Sequence, residues 1–267
     1  MARLKKKRIH DMRSSHYYIS NYSEDHMMTT DMKPRFVLTL QLLLGFVTLA
    51  HCVPSGFVAE AITDIKSITG AFAPNPRKNW KPMLLLSTKN GEIFVLEDPD
   101  NSDDSFVVAD FESRICHDGE RGLQSIRPHP NFKSNRYIYM FYASIRNGCV
   151  QSLTEGPRNR LSRFTMNADT LKIDYSTEVV LLETSPSLKN VHNGGNIAFG
   201  NDGKLWVTTG DGGSHDPAVS QDLGHLHGKI LRLNDDGSIP SDNPYASGGV
   251  KCGNSGGNTK NGVCGEV

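Results

Sequence analysis

The stretch VHNGGNIAFGNDGKLWVTTGDGG, Val191 to Gly213, places an imidazole and a carboxylate at the two ends of what reads as a β-hairpin. A neutral imidazole titrates near physiological pH and can accept a proton. A carboxylate on its other ring nitrogen fixes the tautomer and stabilises the imidazolium that forms. His192 and Asp211 therefore have the residue types of a general base and its orienting partner, and a chain that folds back through Asp202-Gly203 would bring them together. Glycines 194, 195, 212 and 213 would let a flat ligand approach the backbone. The competing reading, a histidine that caps one turn and an aspartate that begins another, is left open by residue types alone.

His225 and His227 invite a metal reading. No Cys-x-x-Cys or nearby Cys/His pair stands at zinc-ligand spacing, so they read as polar residues at a hairpin edge, and no metal site is expected within the chain.

The elements that must position these residues read as β almost throughout. PMLLLSTKNGEIFVLED has two apolar runs separated by Asn90-Gly91, a dipeptide suited to the positive φ values of a tight hairpin. RYIYMFYAS alternates faces as a half-buried strand does, and RLSRFTMNADTLKID and EVVLLET continue the series. KILRLNDDGSIP repeats the strand, turn, strand device at Asp236-Gly237, and no segment carries a sustained helical period. Short antiparallel strands closed by Asx-Gly turns predict an all-β sandwich or propeller, and their recurrence favours the propeller.

Composition narrows the partners. With 29 basic and 29 acidic side chains in 267 residues there is no diffuse positive field, so neither nucleic acid nor an acidic membrane surface is an expected partner. Residues 36–50, FVLTLQLLLGFVTLA, are shorter than the about 20 residues of a membrane span and follow Lys33 and Arg35. They read as the h-region of a signal peptide, with small residues at 59–61 for cleavage and an alternative start at Met32. Residues 1–59 are thus expected to be an extension with a signal peptide or signal anchor, residues 60–267 the folded domain, and the protein secreted. Membrane contact is expected only if the h-region stays uncleaved.

Past the h-region, Cys116, Cys149, Cys252 and Cys264 allow three pairings. The loop between Cys252 and Cys264 contains almost nothing that can be buried, so a disulfide there would compensate for a missing core, and Cys116–Cys149 follows by elimination.

Three segments in order, ERGLQSIRPHPNFKSNRYIYMFYA (Glu120 to Ala143), the Val191 to Gly213 stretch and HGKILRLNDDGSIPSDNPY (His227 to Tyr245), carry a resemblance to the soluble glucose/sorbosone dehydrogenases. These are pyrroloquinoline quinone (PQQ) enzymes on a six-bladed β-propeller. The resemblance runs from about Ile62 to the chain end, and the Cys252 to Cys264 loop resembles the cysteine-bearing members. It implies that His192 takes the proton of a sugar's anomeric hydroxyl as hydride passes to the quinone, and that Asp211 orients it. It places Glu120 beside the cofactor and Asp216 beside the substrate. Val191 departs from members with an acidic residue before the histidine.

The resemblance also implies PQQ and calcium, a small-molecule sugar and an electron acceptor of unknown identity. Family segments with the remaining quinone contacts and the calcium ligands would lie past Val267. The chain is therefore expected to form an incomplete propeller of about three or four four-stranded blades. A non-catalytic binding propeller like the hedgehog-interacting proteins is the alternative that the same segments imply.

Overall fold

The computed structural model describes residues 18–20, 58–60, 62–67, 69–99, 105–187, 189–214, 217–254, 256–260 and 262–267. The h-region, Met32 and Asp216 lie outside the described residues. The chain divides into two units, 1–64 and 65–267. In the first, β1 (Tyr18–Ser20) pairs antiparallel with β2 (Val58–Glu60).

In the second unit three antiparallel meanders follow one another, each strand lying beside its neighbour in sequence. The first sheet is β3 (Thr69–Pro74), β4 (Pro82–Ser87), β5 (Glu92–Leu96) and β6 (Ser105–Asp110). The second is β7 (Leu123–Pro128), β8 (Tyr137–Ser144), β9 (Arg158–Met166) and β10 (Ile173–Pro186), with one helical turn, α1 (Phe132–Asn135), between its first two strands. The third is β11 (Gly194–Phe199), β12 (Leu205–Thr209) and β13 (Ile230–Leu233). This succession of up-and-down sheets is the blade topology of a propeller.

The Asx-Gly turns close the hairpins as their backbone requires. Gly91 sits at φ +107, and a Cβ there would lie 2.8 Å from the Ile115 side chain. Asp202-Gly203 joins β11 to β12, with the Gly203 N–H donating to Gly200 O at 2.9 Å.

Three expectations change. β8 is buried on both faces, because its sheet lies between the other two. Ile138, Met140 and Tyr142 join Met83, Leu85, Ile93 and Val95 in one core, while Tyr139 and Phe141 join Ile197, Leu205 and Val207 in another. The segments read as two strands around residues 173 and 180 are one strand, β10, with bulges after Asp174, Val180 and Glu183. The Asp236-Gly237 turn forms, with Gly237 N–H donating to Asn234 O at 2.9 Å, but no strand follows it among the described residues.

The third sheet therefore has three strands. The segment after it carries Pro240 and Pro244 among glycines, and proline removes the donors that a ladder needs. Turns held by single bonds take the place of a strand. Asn243 Nδ2 donates to Arg232 O at 2.9 Å and Gly265 O at 3.0 Å, and buried Glu266 accepts from the N–H groups of Cys252 and Gly253.

Two disulfides are present: Cys116–Cys149 with Cα atoms 5.6 Å apart, and Cys252–Cys264 with Cα atoms 5.4 Å apart. The first ties the loop after β6 to the loop after β8. The second closes the turn-rich segment beyond β13, and both its sulfurs are buried in the core between the second and third sheets.

Candidate active site

His192 lies two residues before β11 and Asp211 two residues after β12, so the pairing of these strands decides whether the two side chains meet. Beyond the regular ladder, Gly210 N–H donates to Asn193 O and Gly212 N–H to His192 O, each at 3.0 Å. Those bonds carry the pairing past the strand ends, and His192 Nδ1 lies 3.0 Å from Asp211 Oδ1. The same oxygen accepts from Gly213 N–H at 3.0 Å, which fixes the carboxylate. An ionised carboxylate only accepts, so the geometry assigns the proton to Nδ1 and leaves the Nε2 lone pair available. The imidazole is 62% exposed, and Nε2 has no partner among the described residues.

Glu120 reaches the same place from the loop before β7. Its Oε2 accepts from the backbone N–H of His192 at 2.6 Å, so it contacts the histidine through the main chain. His192 has φ +56, a left-handed conformation that a non-glycine residue adopts at a cost of roughly 1–3 kcal/mol.

Three of the four glycines are fixed by the protein's own packing. A Cβ on Gly194 would run into Gly210 N, one on Gly195 would lie 2.6 Å from the Phe141 ring, and one on Gly213 2.8 Å from the Lys189 side chain. All three have positive φ. The protein's own packing therefore requires all three to be glycine.

Sequence reasoning missed two residues. Arg121 is fully buried behind the His192 loop. His227 is no hairpin-edge residue: it is 6% exposed, and its Nε2–H donates to Ser185 O at 3.1 Å. It lies under the Asp211 turn, since a Cβ on Gly212 would be 3.4 Å from its ring. No periodicity flags it, because it occupies a loop. Burial is the main cause that pushes its pKa down to about 4, helped by His225 and Lys229 and opposed by the Ser185 bond and Asp211.

That shift has a pH consequence. With a folded value of about 4 and an unfolded value near 6.5, the unfolded chain binds the extra proton between them. Stability from this group is present above about pH 6.5 and is lost as pH falls through about 4, by about 3 kcal/mol at most. We expect thermal melting to show this acid-side loss, and His227→Asn to flatten it relative to the parent. An unchanged slope in the variant would contradict the assignment.

The donor chemistry tests how far these residues fit a planar polyanionic quinone. Arg121 does not offer a cation to it, being buried with its terminal nitrogens spent on carbonyls. The Glu120 carboxylate is taken by the His192 N–H and is itself an anion. The exposed, oriented imidazole does fit a base beside such a group. Clusters of metal-ligating types among the described residues are Cys116, Asp118, Cys149 and Cys252, Cys264, Glu266. Both rest on disulfide sulfurs, which are not the oxygen ligands of calcium.

A propeller of antiparallel blades that presents an exposed His–Asp pair at the ends of one hairpin defines a class of protein with base chemistry on its loop face. The family model for glucose/sorbosone dehydrogenase matches residues 73–252, and the chain belongs to that family. Among curated proteins it is 29% identical over 227 residues to quinoprotein glucose dehydrogenase B of Acinetobacter calcoaceticus, covering 72% of this chain and 47% of that protein. It is also 32% identical over 147 residues to the hedgehog-interacting protein of Mus musculus, covering 50% of this chain and 20% of that protein.

Among solved structures, an oxidoreductase (glucose dehydrogenase) from Thermus thermophilus superposes with a TM-score of 0.53 at 28% identity, over 69% of this chain and 47% of that one. The PQQ-bound aldose sugar dehydrogenase of Streptomyces coelicolor gives 0.51 at 24% identity, over 67% and 52%. The chain thus spans about half the length of these dehydrogenases. Among the described residues, no helix is long and apolar enough to cross a membrane.

Proposed function

We propose that this chain supplies the proton-handling half of a PQQ-dependent site that oxidises an aldose or sorbosone-type sugar at C1. The observation that carries the reading is the 3.0 Å contact between His192 Nδ1 and Asp211 Oδ1, with the imidazole open to solvent. The anomeric O–H proton passes to His192 Nε2, the O–H electron pair becomes the second bond of C1=O, and C1 gives up its hydrogen as hydride. PQQ, when bound, supplies the hydride acceptor. Asp211 holds the tautomer that leaves Nε2 basic and stabilises the imidazolium afterwards.

Asp216 is assigned to the sugar, and Glu120 to the rim of the cofactor pocket, by their positions in the family pattern. The remaining grip on the quinone's carboxylates, and calcium, fall to residues other than those around His192. The disulfides support a secreted protein, because such bonds persist in oxidising compartments.

The test is dye reduction by the native protein with PQQ, calcium and a panel of aldoses, and identification of the lactone product. The expected result is turnover that needs both PQQ and sugar. Absence of turnover in a folded, PQQ-loaded protein would sink the enzymatic reading and favour a binding propeller of the hedgehog-interacting kind.

A further inference from the structure

The His192 loop is held from one side by a single turn, Asp118 to Arg121. Asn190 Nδ2 donates to Asp118 Oδ2 at 3.1 Å, and Glu120 N–H donates to Asn190 O at 2.7 Å. His192 N–H donates to Glu120 Oε2 at 2.6 Å. Arg121 Nη2 donates to Lys189 O at 3.2 Å and Ser187 O at 3.5 Å. Four residues of the 187–192 segment are therefore fastened to this turn. The approach is tight at Gly119, where a Cβ would lie 2.6 Å from the Asn190 side chain.

Arg121 is the unusual member. Its side chain is 0% exposed, yet its nearest carboxylate, Asp118, is 41% exposed and 3.4 Å away. Its Nη1 also donates to Cys149 O at 3.2 Å, and its Nε has no partner. A buried charged group is weak evidence for stability, although removing one member alone leaves its buried partners unpaired at a cost. What it does achieve is geometric. One planar fork gathers carbonyls from the segment leading to His192 and from the disulfide-bonded Cys149.

We propose that Arg121, with Glu120, is a positioning residue: the 118–121 turn is a template that holds His192 in its left-handed conformation, so that Nδ1 meets Asp211. This rests on the reading of His192 and Asp211 as the base pair, but it makes a claim about geometry that needs no turnover to test. Glu120 in this role acts through the backbone of His192, in addition to any contact it makes at the pocket rim.

The experiment is long-range proton–nitrogen NMR of the full chain labelled at histidine, at a mildly alkaline pH where imidazoles are neutral, for the parent, Arg121→Met, Arg121→Lys and Glu120→Ala. The parent should show His192 as the Nδ1–H tautomer. All three variants should lose that signature while His227 keeps its Nε2–H form, which reports an intact fold beneath the site. If Arg121 served only to fill space, Arg121→Met would retain the His192 signature. Should the Arg121 variants fail to fold, Glu120→Ala decides, since that side chain lies at the surface. Retention of the Nδ1–H tautomer in the variants that fold would overturn the template. A parent spectrum lacking it would overturn the pairing itself, whereas an unimpaired His192→Ala enzyme beside a normal parent spectrum would refute only the catalytic reading.

Discussion

We predict that His192→Ala lowers kcat for the proposed aldose oxidation by about 10²–10⁴-fold and leaves the fold in place. The loss corresponds to about 3–5 kcal/mol on the barrier, the range for a positioned general base. The imidazole is mostly exposed, so truncation removes little buried surface. The bonds from His192 N–H to Glu120 and from Gly212 N–H to His192 O belong to the main chain and persist in alanine. In the proposed mechanism the proton is taken only in the transition state, so the change belongs in kcat, with KM moving far less. Steady-state dye reduction checks the split, and melting of the variant beside the parent checks the fold. A variant as active as the parent would remove His192 from the chemistry.

Loss of the Cys116–Cys149 disulfide destabilises the domain by about 4 kcal/mol. The bond spans 33 residues, and a chain-entropy account for a loop of that length gives about that figure. Cys252–Cys264 spans 12 residues, and the same account gives about 3 kcal/mol. The ordering follows from loop length alone. Local packing reinforces it, because Cys149 O is one of the acceptors of buried Arg121, so opening the first disulfide also loosens that anchor. Denaturant unfolding of the two double-alanine variants measures both. Equal or reversed losses would show that local packing around Glu266, and not loop closure, dominates.

Much of the fold was legible because its signals are local. Asn90-Gly91 and Asp202-Gly203 signal hairpins through the positive φ of their glycines, while apolar runs mark β4 and β5 and alternation marks β8. What alternation cannot tell is how many faces a strand buries. β8 read as half-buried, yet its second face is covered by a sheet from distant sequence. Asp236-Gly237 shows the converse: a turn signal is satisfied locally whether or not a strand follows, and the prolines beyond it decide that none does.

At the candidate site, the meeting of His192 with Asp211 was legible because a hairpin returns one to the other. Arg121 and His227 were not, because burial of a polar side chain in a loop is a tertiary fact with no periodicity behind it. The glycines around the pair were visible, but the packing that three of them serve was not. Most of them are required by neighbouring protein atoms within 3 Å of a notional Cβ.

The most direct test of the central claim is turnover of one aldose by Asp211→Asn beside the parent, at matched PQQ loading. Asparagine keeps the size and the acceptor oxygen but can also present an N–H to Nδ1, which favours the wrong tautomer. We predict a kcat at least about tenfold lower with KM nearly unchanged, as expected when only the base is disabled. A kcat equal to the parent's would show that the 3.0 Å pairing of His192 with Asp211 is not what drives the reaction.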